Sequence, residues 1–420
     1  MFHFAYVRLC LLAALASATA ATAAPLATGL TPTTNASAAL GVQDFGAVGD
    51  GIKDDTLAFQ AAIDAASKLA TGHSVRVAPG TYRITAPLAL GSTLLIGSES
   101  GGWPADSRPL PTILVDVPAP LPTILAGLGA SIHGLSFDFD YSKDKAREFG
   151  PAIQLVGGGV SIVNVLIHQP TYGIVADGTV NCGRVNLQNV FIVNARRIGV
   201  RFEYGLDIIT MNNVEVWNYL PELLETTTGF LIGAADEIRF TNCAVIGAAI
   251  GFHFIATKLP NGQISRAWGG MDNCTVDYTG TGILIDTVKV LRITGGSFWT
   301  HHYGMVIAGE GDVLVGTAEF RSNSNQCLMV KGGDSLTVTG SSFKKNPGWE
   351  LEPKVIIAGG KLVNLTGNTF DKNSAGIVLE PGVNRIGITG NVFEQSDYPS
   401  IIDRAPNGRK VIESNLTGDR

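Results

Sequence analysis

The chain has 420 residues, room for one large or two ordinary domains, and carries 30 Lys and Arg against 36 Asp and Glu, a formal net charge of −6. That balance argues against nucleic acid as a partner, because its binders present a basic patch or stripe. Gly is abundant at 51 residues and no long helical pattern dominates, a mix that suits many short strands joined by tight turns.

In chain order, the first 24 residues read as a signal peptide. Arg8 leads into an apolar run from Leu9 to Ala16, and Ala-x-Ala sites follow at Ala18-Thr19-Ala20 and Ala21-Thr22-Ala23. The run is short for a bilayer span, so cleavage is expected over an uncleaved anchor, which places the mature protein outside the cell or in the periplasm. No later segment is long and apolar enough for a stable membrane span. Residues 25–41 have the composition of a linker. Val42 to Ala47 reads as a strand and Gly49-Asp50-Gly51 as a turn. Asp54 or Asp55 then caps a helix that carries Leu57, Phe59, Ile63 and Ala66 and runs to about Ala70. Strands follow at Val75–Val77 and Tyr82–Ile84. This block, residues 42 to about 90, is expected to cover one end of the domain that fills residues 42–420.

From about residue 130 one pattern repeats. Gly or Asn falls three residues before an apolar residue, at Gly134/Phe137, Asn164/Ile167, Asn189/Ile192, Asn213/Val216, Asn242/Val245, Asn273/Val276, Gly295/Phe298, Gly340/Phe343, Gly367/Phe370 and Gly390/Phe393. One double gap is filled by Asp312 to Gly333, where Phe320 fits the apolar position but Thr317 breaks the Gly/Asn rule. Gly and Asn enter the left-handed backbone region at least cost, so the column predicts one sharp turn per repeat. A second stretch alternates after a Gly, as in Gly199-Val200-Arg201-Phe202-Glu203 and Gly282-Ile283-Leu284-Ile285-Asp286, which is a strand with one buried face. Stacked repeats bury what a single repeat cannot. The fold class predicted is all-β, a parallel β-helix of about eleven coils, on the order of 50 Å long at ~4.8 Å per coil. Cys10 falls in the signal, and Cys182, Cys243, Cys274 and Cys327 form no Cys-x-x-Cys pair. Cys243 and Cys274 share a column, which favours stacked buried thiols over a disulfide.

The stretch Val42 to Ala66, VQDFGAVGDGIKDDTLAFQAAIDAA, followed by Ala78-Pro79-Gly80-Thr81-Tyr82, resembles the N-terminal signature of the pectate-lyase-like superfamily, in its rhamnogalacturonase and tailspike branch. The resemblance implies a right-handed parallel β-helix that hydrolyses, eliminates or simply binds polysaccharide. Of the polygalacturonase motifs, Gly-His-Gly and Arg-Ile-Lys are not found, and the only Asp-Asp, Asp54-Asp55, stands at the helix start. No catalytic residue carries over from them. No calcium-pectate-lyase pattern stands out either, so no cofactor or metal is expected, with a Ca²⁺ requirement left open.

The coil alignment gathers candidate residues after the repeated apolar position. Trp217, Tyr219, Tyr278 and Trp299 are the expected sugar-stacking residues; the bland alternative is a flank covered by a loop. Asp138 and Asp140 are two apart on one strand face, the spacing of an acid–base pair for inverting hydrolysis, or else a solvated acidic edge; Asp277 is a third acid. For β-elimination, His168 with Tyr172 beside Arg196 and Arg197, or His301, His302 and Tyr303, supply base, acid and cation types. The opposite strand face offers Arg201, Glu203, His253 and Asp286, which fit ordinary surface ion pairs. The expected activity is cleavage of an extracellular or uronate-containing polysaccharide by elimination or hydrolysis. The alternative is a non-catalytic polysaccharide-binding protein. A polysaccharide is the expected partner, with assembly into a homotrimer left open.

Overall fold

The computed structural model describes residues 40–417 apart from 71, 99–109, 143, 323, 347–351 and 396. The signal peptide expected over 1–24 and nearly all of the linker lie outside the described residues. Leu40–Gly41 already form a strand, paired in parallel with Val75–Arg76, two residues before the expected boundary. No helix of the described residues is long and apolar enough to cross a membrane.

Each coil runs through three sheets, whose strands pair in parallel with their counterparts one coil before and after; a separate antiparallel pair, Ala256–Lys258 with Ile264–Arg266, stands outside this stack. Ser131–His133, Ser136–Phe139 and Pro151–Leu155 stand for sheets 1, 2 and 3. Between sheets 1 and 2 sits the predicted turn. Gly134, Asn164, Asn189, Asn213, Asn242, Asn273, Gly295, Gly340, Gly367 and Gly390 all have positive φ. Thr317 takes φ 55° as well, so the coil that broke the sequence rule keeps the backbone rule. The Asn side chains also bond along the column: Asn189 Nδ2 donates to Asn164 Oδ1 and Asn213 Nδ2 to Asn189 Oδ1, each at 3.0 Å. The glycine that opens each sheet 3 strand has a different reason. At Gly199 a Cβ would lie 2.5 Å from Val216 Cγ2 and 2.8 Å from the Gly229 carbonyl oxygen, so close packing of coil on coil excludes a side chain.

The residues three after the turn point inward and form the predicted ladder. Phe298, Phe320, Phe343, Phe370 and Phe393 stack with ring centroids 4.5–5.5 Å apart, and all five are buried. Burying an aromatic ring relative to leaving it exposed is worth about 1.5–3 kcal/mol, which is why the ladder, repeated coil by coil, holds the rod together. Cys182, Cys243, Cys274 and Cys327 are free, buried thiols in the same core. The sheet 2 ladder continues upstream of the recognised repeats through Leu114 and Arg83, so the coil count exceeds the eleven expected.

The N-terminal block departs from expectation in detail. Val42–Phe45 is a 3₁₀ helix, not a strand. Its apolar residues are three apart, and the Asp44 carboxylate accepts the Gly41 N–H at 2.9 Å, which closes a turn. The helix spans Thr56–Ser67 and stops short of Ala70, ending in a tightened turn in which the Lys68 and Leu69 N–H groups reach back to Ala65 and Ala66. Both aspartates before it have structural work. Asp54 accepts from the Thr56 N–H at 3.0 Å, while Asp55, nearly fully buried, accepts from the Val48 and Gly49 N–H groups at 2.8 and 3.1 Å. The helix packs Phe59 edge-on against Tyr82 and covers the first coil.

Candidate functional site

The outer face of sheet 2 carries the column singled out from sequence. The pairing runs Asp138, His168, Val193, Trp217, Ile246, Asp277, and farther on Trp299, Arg321, Lys344. The connection from sheet 2 to sheet 3 carries Tyr141, Arg196, Arg197 and Tyr219, and farther on Tyr278 and His301 lie in strands that run through it, Thr275–Ile285 and Ser297–Ile307. Two concavities open on this flank.

The smaller, of about 230 Å³, is lined by Asp277, Tyr278, Trp299, Thr300, His301, Arg321 and Asn346. Two offset bulges build it. Val276 pairs with Phe298 and Thr279 with Thr300, so Asp277 and Tyr278 together oppose the single Trp299. Thr281 then pairs with Tyr303, so Gly280 opposes His301 and His302 together. Bulges of this kind re-aim side chains. Here the first leaves Tyr278 at φ 54°, a conformation that costs an aromatic residue of order 1–3 kcal/mol. Tyr278 and His301 meet edge-on at 4.5 Å between ring centroids.

The electrostatics of this cluster separate base from cation. Burial, reinforced by the neighbouring His302, pushes the His301 imidazole below its ordinary pKa, with Asp277 pulling the other way, so at neutral pH the ring holds no extra proton. Arg321 lies over the Trp299 ring, 5.0 Å from its centroid, and 3.5 Å from Glu319. Its Nε is buried without a hydrogen-bond partner among the described residues. Trp299 Nε1 donates to Glu319 Oε1 at 2.9 Å, which fixes the indole while 42 % of the residue stays exposed. Burial alone would raise the Glu319 carboxyl, but Lys344, Trp299 and Arg321 hold it below the ordinary range, so it stays ionised and anchors the cluster. The arrangement offers a sugar-stacking plane, a cation, a neutral base and a phenol within one concavity.

The larger concavity, of about 680 Å³, lies upstream on the same flank, between Tyr141 and Thr226. Tyr141 donates to the Gln169 carbonyl oxygen at 3.0 Å, and the Arg196 guanidinium covers its ring at 3.9 Å. Burial raises the Tyr141 phenol, against the pull of Arg196, so the hydroxyl keeps its proton. Arg197 is ion-paired with Glu148 at the rim.

The remaining sequence candidates are placed as follows. Asp138 pairs with His168, Oδ1 to Nδ1 at 3.2 Å, whereas Asp140 accepts from the Ser142 N–H at 3.0 Å; the two aspartates thus take separate partners. Trp217 packs on Tyr219 at 5.4 Å and on Phe191 at 6.2 Å, an aromatic group between the two concavities. His302 Nδ1 bonds Ser324 Oγ at 2.7 Å, and Tyr303 begins the return to sheet 3. On sheet 3, Arg201 pairs with Glu203 at 2.6 Å and His253 with Asp286 at 2.8 Å, apart from both concavities. Among the described residues no group of three His, Cys, Asp or Glu side chains could hold a metal ion.

Three residues escaped the sequence reading. Arg321 continues the aligned column, but only its reach over Trp299 gives it a place in the cluster. Tyr141 falls outside the aligned positions, in the connection after Ser136–Phe139. Glu215 stands two residues before Trp217 on the same outward face, and burial raises its carboxyl. The outward parity of that strand was the signal that could have found it.

The comparisons with known proteins agree with this architecture. Residues 39–105 match the family model described as rhamnogalacturonase A/epimerase, pectate lyase-like, and residues 263–415 match that of the right-handed β-helix region. The chain is thus a right-handed parallel β-helix with a pectate-lyase-like N-terminal segment. Mannuronan C5-epimerase AlgE6 of Azotobacter vinelandii is 58% identical over 45 residues, 11% of this chain and 5% of the relative. The match therefore spans about one-twentieth of that relative's length. The A-module of the same epimerase superposes with a TM-score of 0.53 at 17% identity, covering 90% of this chain and 98% of the module. Bacteriophage phi29 gene product 12 superposes with a TM-score of 0.53 at 14% identity, over 84% of this chain and 52% of the phage protein. At these identities the superpositions speak for the fold.

Proposed function

We propose that the protein is a polysaccharide-active enzyme that removes the proton next to the carboxylate of a uronate residue held against Trp299. One observation carries this reading: a neutral-held His301, the Tyr278 phenol and the Arg321 guanidinium line one concavity together with the partly exposed Trp299 indole. A pyranose ring stacks on Trp299 and its carboxylate faces Arg321, which spreads the negative charge that develops on deprotonation. His301 takes the C5 proton, and the electron pair moves into the carboxylate as an enolate. Tyr278 stands against His301 with a phenolic proton to give. Given to the departing O4 as the C4–O4 bond breaks, it yields an unsaturated uronate and a shortened chain. A proton from solvent added instead to the opposite face of C5 yields the epimer, because Tyr278, in ring contact with His301, stands on the side of the base. The short sequence match to mannuronan C5-epimerases supports the shared first step, because epimerisation and elimination both begin with the same proton removal. Export, expected from residues 1–24, would bring the site to an extracellular glycan.

The test is to incubate the mature protein with a panel of uronate polysaccharides and follow three signals: ultraviolet absorbance of unsaturated uronates, new reducing ends, and the C5 epimer ratio by NMR. Absorbance with reducing ends identifies elimination, and a changed epimer ratio alone identifies epimerisation; either supports the proposal. Reducing ends without absorbance would move the chemistry to hydrolysis by Asp138, Asp140 or Asp277. Binding without any product would leave a polysaccharide-binding protein.

A further inference from the structure

The larger concavity holds two donors that lack an acceptor. Arg196 forms no ion pair among the described residues; of the two carboxylates that line the cleft, Glu148 is taken by Arg197 and Glu222 stands on the Pro221–Leu223 wall. Its guanidinium instead sits over the Tyr141 ring, 3.9 Å from the centroid, which holds the cation in the cleft. Asn194 lines the same cleft and is fully buried. Its Oδ1 accepts the Tyr219 N–H at 3.0 Å, which sets the amide orientation, and its Nδ2 has no partner among the described residues. A buried donor left unpaired is costly, and a guanidinium without an ion-pair partner in the same cleft offers a place for a planar anion. The cleft is walled by the Pro221–Leu223 turn and has room for a sugar ring.

We infer that Arg196 and Asn194 form a second carboxylate subsite, which holds a uronate of the same chain remote from the one at Trp299. This rests on the reading of the substrate as a polyuronate. Four coil steps separate the Val193 coil from the Trp299 coil, about 19 Å at ~4.8 Å per step, a span of about four sugars in an extended chain. Trp217 and the exposed Tyr219, backed by the buried Phe191, lie between and offer the connecting sugars an apolar surface. Binding energy gained this far from the reacting carbon selects long chains over short ones. Arg196 is a binding residue here and takes no part in proton transfer.

The experiment measures affinity by calorimetry for oligomannuronates and oligogalacturonates two to eight units long, and for the same oligomers with carboxyls reduced to alcohols. With the full chain, affinity for the fitting series is expected to step up about tenfold or more between four and six units. The step should vanish in Arg196→Gln, shrink in Arg196→Lys and vanish with the reduced oligomers. It should survive in His301→Gln, because the subsite does not share that residue. A smooth length dependence in the natural protein, a step that persists in Arg196→Gln, or no binding of either series overturns the subsite. If Arg196→Gln does not fold, the reduced oligomers read the same contact on the unaltered protein. A step in affinity without turnover of any polymer would keep the subsite and refute the proton-removal reading instead, so the two failures are distinguishable.

Discussion

Replacing His301 by Gln removes the proposed base while keeping a polar side chain of similar reach in the second bulge. A positioned general base contributes about 10²–10⁴-fold, so kcat should fall about a thousandfold. KM should change little, because the stacking plane at Trp299 is fixed through Glu319 and not through His301. The pH dependence follows from the same burial. The His301 pKa lies below its ordinary value, so the base is active in its neutral form at neutral pH, and the acid limb of the rate should fall below about pH 6.5. Initial rates on the polyuronate that reacts, measured for both proteins across this range, test both points. A variant that keeps a tenth or more of the activity would refute the assignment, as would an acid limb in the natural protein centred above the ordinary histidine value.

Trp299→Ala should raise KM about tenfold and lower kcat as well, since the indole both stacks on the sugar and holds Arg321 in place; an unchanged KM would remove it from the binding face. Phe343→Ala empties a position in the stacked ladder between Phe320 and Phe370 and should cost about 3–5 kcal/mol in urea unfolding, while a loss under about 1 kcal/mol would deny the ladder its part in stability. Stability should also fall with acid. Burial lowers the folded-state pKa of both His133 and His301, so the unfolded chain binds protons more readily; the contribution is full above about pH 6.5 and is lost as pH falls below it. Thermal melting at pH 7.5 and 5.5 reads this, and a melting temperature that rises on acidification contradicts it.

What the sequence disclosed was whatever repeats once per coil. Asn189 and Gly340 were legible because a left-handed turn admits few residue types, and Phe343 because an inward position recurs with fixed parity. Thr317 was not, since a β-branched residue with φ 55° is held there by the coils on either side and not by its own preference. Tyr278, Trp299 and His301 could be gathered from coil alignment alone, yet their convergence depends on two bulges that no composition signals. Val42–Phe45 misled because two apolar residues three apart suit a 3₁₀ turn as well as a strand end, and the Asp44–Gly41 bond decides between them. The place of Arg321, and the contact that Arg196 makes, needed three dimensions, because long side chains lie across rings on other coils and sequence distance conceals that reach.

The most direct test of the central claim is solvent isotope incorporation. The natural protein and His301→Gln are incubated with polyuronate in deuterium oxide, and the uronate C5 position is read by NMR and mass spectrometry. Removal of the C5 proton by His301 predicts deuterium at C5 of epimerised residues, or loss of the C5 proton in unsaturated ends, with both nearly absent in the variant. Cleaved chains that keep their C5 protons, or equal exchange in the two proteins, would contradict it.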